Sequence, residues 1–342
     1  MDDAGRRVAD RVGEDFGIDL VSVEPVDLGA DEAAELWCGG TADGARWAVK
    51  LSGGGTPAGL VASAWLAGRG VPGIAAPMTT RDGALWAGRD GRRLSVVPWV
   101  SDRRALDGGM AAAHWRAYGE VLAAVHATPV SDDVTRLLPA DDHAHRPVAA
   151  AVQETGRRVA GPDGAADDVA RDAAQAWRGA ADLAAALLAE ADALGAELRD
   201  RPVVPVVCHG DPHLGNLLLG AGAEVWLIDW DDAVLAPRER DLMFVTAGVL
   251  AFAPVTPLEQ AAFFAGYGPV DPDPVRLAYH LTVRALDDIS SWTAQALDPG
   301  YADAERVFAL RIVRGLLSPV GLVTLAASAL RDLGRLDASA AG

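Results

Sequence analysis

Two short stretches carry side chains able to act together on a phosphate group. Residues 208–216 read Cys-His-Gly-Asp-Pro-His-Leu-Gly-Asn, and residues 227–231 read Leu-Ile-Asp-Trp-Asp. Asp211 and Asn216 flank a loop containing Gly210 and Pro212, directly after an apolar run at 202–207. A third oxygen-bearing side chain, Asp229, ends the next apolar run, 225–228, beyond a turn at Gly220 and Gly222. A strand–loop–strand arrangement brings the three to one mouth. Such hard oxygen donors suit Mg2+, which keeps several waters and completes its shell with nucleotide phosphates. Asn216 and Asp229 fill the metal role. Asp211 is then left to orient and deprotonate an attacking hydroxyl. His209 and His213 are read as supports of this loop.

A second signal comes from the basic residues. Of the 30 Lys and Arg residues, 29 are Arg and one is Lys50. A coding drift that replaces Lys wherever Arg will serve leaves a lysine only where a compact ammonium is needed. Lys50 ends an Ala-Val-Lys strand, a position from which an amine can meet nucleotide phosphates. No Walker-type G-x-x-x-x-G-K-[ST] occurs, and Gly53, Gly54 and Gly55 read as a flexible link.

The elements that must position these groups follow from periodicity. Val8, Val12 and Phe16 give an amphipathic helix over 4–16. Strands are expected at 21–26, 35–38 and 46–51, the last two joined by a hairpin at Asp43-Gly44. A helix near 58–69 and strands at 84–86 and 94–97 complete a small antiparallel sheet over residues 1–100. Helix dominates beyond Ser101, with helices over 110–126 and 168–198 and a mostly helical stretch from 240 to 333. Residues 129–166, rich in Asp, His and Pro, read as a loop-heavy insertion.

Composition bounds the partners. A net charge of −18 argues against nucleic acid and anionic membranes; it either gathers small cationic molecules or simply keeps the protein in solution. No apolar run is long enough to span a bilayer, and the opening residues show no apolar signal-peptide core. With Cys38 and Cys208 alone, a disulfide framework is excluded and a cytoplasmic setting is expected. Oligomeric state is not encoded in these features.

The spacing from Asp211 to Asn216, with Asp229 after it, resembles the catalytic loop and metal aspartate of kinases. Trp230-Asp231 in place of Phe-Gly, and Gly210 where protein kinases carry Arg, separate it from the protein kinases. The string His-Gly-Asp-x-His-x-x-Asn, followed by Ile-Asp-Trp-Asp, resembles the aminoglycoside phosphotransferase and choline kinase group. Residues 17–20, 28–31, 235–244 and 264–268, with Tyr279, Arg284, Asp287 and Asp288, lean toward the spectinomycin phosphotransferase type.

That resemblance implies an α+β, bilobal protein kinase-like fold: a small antiparallel β N-lobe at 1–100 and a large helical C-lobe at 101–342. It implies ATP (with GTP left open) and Mg2+ as cofactors. Gly29, Ala30 and Asp31 would cover the phosphates, and Val97, Trp99 and Val100 would form the hinge that meets adenine. It places the catalytic loop at 208–216, the metal-binding strand at 225–231 and substrate-binding helices at 240–333. Asp241 would accept backbone N–H bonds from the catalytic loop, and Asp231, Asp287 and Asp288 would receive ammonium groups of the acceptor. Kinases also pair their lysine with a carboxylate on the next helix, yet positions 51–81 contain no Asp or Glu. Either Lys50 is held by Asp229 and the nucleotide alone, or a partner comes from elsewhere, or the chain is a weakened member. Three activities follow: O-phosphorylation of an aminocyclitol antibiotic, phosphorylation of an endogenous metabolite, or nucleotide binding without turnover.

Overall fold

An amphipathic helix packed on five strands makes up the first sheet layer. The computed structural model describes residues 1–26 and 34–337; the expected phosphate turn at Gly29, Ala30 and Asp31 lies outside them. Helix α1 (Asp3–Phe16) is capped by the Asp2 carboxylate and ends at Gly17, whose φ of 72° allows the left-handed stop. Strands β1 (Leu20–Pro25), β2 (Ala34–Thr41) and β3 (Arg46–Ser52) precede helix α2 (Ala58–Ala67). Strands β4 (Ala87–Arg89) and β5 (Arg92–Pro98) complete an antiparallel sheet in the order β1-β2-β3-β5-β4. Val8, Val12 and Phe16 pack with Leu20, Val23, Val49, Leu94 and Val96 beneath it. Each such side chain removed from water contributes about 1.5–3 kcal/mol. The hairpin expected at Asp43-Gly44 is present, with Gly44 at φ 88° donating to Thr41 O.

Helices α3 (Ala105–Gly108), α4 (Ala112–Ala127) and α5 (Asp132–Leu137) follow. Four short strands come later: β6 (Val206–Cys208), β7 (Leu217–Leu219), β8 (Val225–Leu227) and β9 (Val234–Ala236). β6 pairs with β9, and β7 pairs antiparallel with β8. These segments fall into one compact unit: Met1–Ala140, Val206–Leu235 and Ala261–Pro269.

The second unit comprises Asp141–Pro205, Ala236–Gln260 and Val270–Gly342. Its helices are α6 (Arg146–Ala160), α7 (Asp168–Arg199), α8 (Glu239–Thr246), the start of α9 (Pro257–Tyr267), α10 (Pro274–Leu297), α11 (Asp303–Leu316) and α12 (Leu322–Asp332). α10 packs against α6, α7, α8, α11 and α12. The Ala-rich face of α7 supplies Ala170, Ala173, Ala184 and Ala191 to that core, since small side chains let helix backbones approach closely. Among the described residues no helix is long and apolar enough to cross a membrane.

Three expectations need correction. Residues 129–166 are largely helical, because Val152, Thr155 and Val159 recur at helical spacing and are buried within α6. The strand expected at 202–207 forms only from Val206, since Pro202 and Pro205 have no N–H to give a ladder. The strand expected at 84–86 lies three residues later, at β4.

Candidate active site

Between β6 and β8 the chain builds a loop braced from within. His209 is fully buried; its Nδ1 accepts the Asp211 backbone N–H at 3.3 Å, so Nε2 carries the proton it donates to Ile228 O at 2.8 Å. One imidazole thereby ties the residue before Asp229 to the main chain of Asp211. The Trp230 ring packs against it, with centroids 4.6 Å apart, and donates through Nε1 to Leu227 O. Gly210 sits at φ 87°, and a Cβ there would collide with the carbonyl of Asp232. Any larger residue is barred on both counts. Tyr118 holds the loop from α4 by donating to Pro212 O at 2.7 Å.

Asn216 is fixed by the same loop. Its Nδ2 donates to Asp211 O at 2.9 Å, while its own carbonyl accepts from Ile228 N at 3.0 Å. With Nδ2 so committed, Oδ1 is the atom it offers a ligand. Asp229 sits at φ 60°, a left-handed conformation that costs a non-glycine residue of order 1 kcal/mol. Its Oδ1 meets Lys50, leaving Oδ2. Two oxygens, one amide and one carboxylate, fit a hard divalent cation. His213 accepts from Gly215 N through Nδ1 at 2.9 Å and approaches Asp211 Oδ2 through Nε2 at 3.4 Å.

Lys50 joins the group from β3. Its Nζ lies 3.2 Å from Asp229 Oδ1 and 2.7 Å from Asp231 Oδ2, with 24% of the side chain exposed. Burial alone would lower the lysine pKa, but the charges of Asp229 and Asp231 and their hydrogen bonds outweigh it and hold it above the ordinary value. The amine is therefore a permanent cation.

A family model described as the phosphotransferase enzyme family, APH, matches residues 32–280. The chain belongs to this family. It is 39% identical over 82 residues to an aminoglycoside 3'-phosphotransferase of Escherichia coli, a match covering 24% of the chain and 29% of that curated relative's length. Its fold matches spectinomycin phosphotransferase APH(9)-Ia, solved with ADP and spectinomycin, at a TM-score of 0.79 and 22% identity over 95% of this chain and 98% of that one. Amicoumacin kinase hAmiN, solved with AMP-PNP, Ca2+ and Ami, matches at a TM-score of 0.61 and 14% identity over 92% and 94%. At these identities the structural likeness establishes the kinase-like fold.

Other residues singled out in this phosphotransferase are placed as follows. In the expected hinge, Trp99 N–H donates to Arg46 O at 2.9 Å, and its ring is held by Arg46 and Asp102. Val97 pairs with Ala48 in the ladder. Alternation in an antiparallel pair then turns the Pro98 carbonyl and the Val100 N–H away from β3. Asp241 is fully buried on α8. On α10, Asp287 is exposed, whereas Asp288 meets Arg284 Nε at 2.7 Å. Asp231, expected among the ammonium contacts, meets Lys50 Nζ through Oδ2. The two-residue spacing of Asp229 and Asp231 was the available signal for a shared side. Gly59, whose contact with Trp230 is described below, could have been suspected as a glycine inside a helix.

Proposed function

We propose that this chain transfers the γ-phosphoryl group of ATP to a hydroxyl of a small cationic molecule, an aminocyclitol or aminoglycoside antibiotic. The observation carrying this reading is a hydrogen-bonded frame: His209 ties the Asp211 main chain to Ile228, next to Asp229, Asn216 Nδ2 donates to Asp211 O, and Lys50 is bound to Asp229. In it, residues 1–100 serve the nucleotide, and residues 101–342 supply the catalytic loop, the metal-binding strand and the helices that receive the acceptor. Lys50 meets the α- and β-phosphates, and Asn216 and Asp229 hold magnesium. When bound, magnesium would supply charge neutralisation to the phosphates. Asp211 accepts the acceptor's hydroxyl proton while that oxygen forms a bond to the γ-phosphorus. The bond to the β–γ bridging oxygen breaks and ADP leaves. His213 keeps the Asp211 carboxylate turned for that task.

Base selection follows from the hinge. An acceptor at Pro98 C=O and a donor at Val100 N–H complement adenine's amino group and N1, whereas guanine presents the reverse pattern, which supports ATP over GTP. The net charge of −18 and the exposed Asp287 support a cationic acceptor.

The test is phosphoryl transfer from ATP and Mg2+ to a panel of aminocyclitols and aminoglycosides, spectinomycin included. Asp211→Ala is expected to cut turnover about 10²- to 10⁴-fold while ADP still binds. Turnover only on amino alcohols or sugars, or an unchanged rate in the variant, rejects the reading.

A further inference from the structure

A kinase lysine needs a counter-ion that survives metal binding, and α2 offers none, because residues 51–81 lack Asp and Glu. We propose that Asp231 fills this place: it is the positioning residue that holds Lys50 toward the nucleotide, while α2 contributes shape instead of charge. The proposal rests on the phosphotransferase reading of Lys50 given above.

Two independent observations carry it. Asp231 Oδ2 is the closer of the two carboxylate contacts to Lys50 Nζ, at 2.7 Å against 3.2 Å for Asp229 Oδ1. Separately, Gly59 in the first turn of α2 lies against the main chain at 230–231. A Cβ on Gly59 would stand 2.5 Å from Trp230 O and 2.9 Å from Asp231 N. The helix therefore buttresses the backbone that carries Asp231, and no side chain fits between them. A charge argument divides the two carboxylates. Asp229 serves the metal, and a bound dication draws on its negative charge. A lysine paired with Asp229 alone would lose its partner at the moment of metal loading. Asp231 keeps one in place.

The experiment is ADP affinity by calorimetry in EDTA and again in Mg2+, with acceptor KM measured alongside, for the unaltered chain, Asp231→Asn, Lys50→Met and the double variant. Asparagine has the shape of aspartate, so the fold is retained, which a melting curve verifies. Asp231→Asn is expected to weaken ADP about tenfold, the scale of one charge-assisted hydrogen bond, with no further loss in the Lys50→Met background. Tighter binding in both backgrounds would show that Asp231 only repels phosphates. A loss confined to Mg2+ would make it a metal ligand, and intact ADP affinity with a raised acceptor KM would return it to the acceptor. Each of these overturns the proposal. A second readout needs no nucleotide. Lys50 is the sole lysine, so protein labelled with ¹³Cε-lysine gives one side-chain methylene signal. Asp231→Asn should move it and Asp10→Asn should not; an unmoved signal overturns the ion pair. If the signal moves yet the unaltered chain binds no ADP, the pair stands, while its role at a nucleotide falls with the proposed function.

Discussion

Lys50 shows how much one side chain's chemistry can constrain a site. A guanidinium could satisfy both Asp229 and Asp231, and everywhere else in this chain Arg is the basic residue. What a planar fork cannot do is act as a point charge between two carboxylates and a run of phosphates. Lys50→Arg is therefore expected to keep the fold and net charge but lose roughly tenfold or more in ADP affinity, again the scale of a charge-assisted contact. Titration of wild type and variant side by side checks this, and equal affinities would make the solitary lysine a coincidence. The closeness of Asp211, Asn216 and Asp229 was legible because they lie within a few neighbouring segments, where sequence distance and spatial distance nearly coincide. The partner of Lys50 was not. Asp231 lies 181 residues away, and no local pattern reports a pair that only the folded chain brings together.

Among the elements, those with strong periodicity were read well: α1, α7, and the hairpin between β2 and β3. Elements carried by three residues, such as β7 and β9, gave no period to detect; their pairing depends on neighbours supplied by the fold. α6 was obscured by the Asp, His and Pro that precede it. Helix α2 yields a prediction whose sign runs against intrinsic propensity. Gly→Ala inside a helix ordinarily stabilises by about 0.5–1 kcal/mol. At Gly59 the new methyl would meet the carbonyl of Trp230, so Gly59→Ala is expected to lower the melting temperature and weaken ADP binding together. A higher melting temperature would mean that α2 does not bear on that backbone.

At the scale of the whole molecule, the helical unit holds a buried cluster that responds to acid. The helical unit buries Asp141 with His143, Arg240 and His280 around it. Burial would raise the Asp141 pKa, but the His143 hydrogen bonds and Arg240 hold it well below the usual carboxylate range. Burial pushes His280 down to about 3 from 6.5, against the pull of Asp141. The unfolded chain therefore takes a proton below about pH 6.5 that the native state refuses until about pH 3. Stability should be full above this window and fall within it by up to about 1.4 kcal/mol per pH unit. The loss from Asp141 follows only below 3.8. Thermal melts from pH 7 to 4 should show this slope, and His280→Gln should flatten it; an unaltered slope would remove His280 as its source. The clamp on Lys50 has a consequence of a different kind. Asp229 and Asp231 stand two residues apart on one stretch of chain, so an outward swing of α2, which carries no carboxylate, would leave the ion pairs of Lys50 in place.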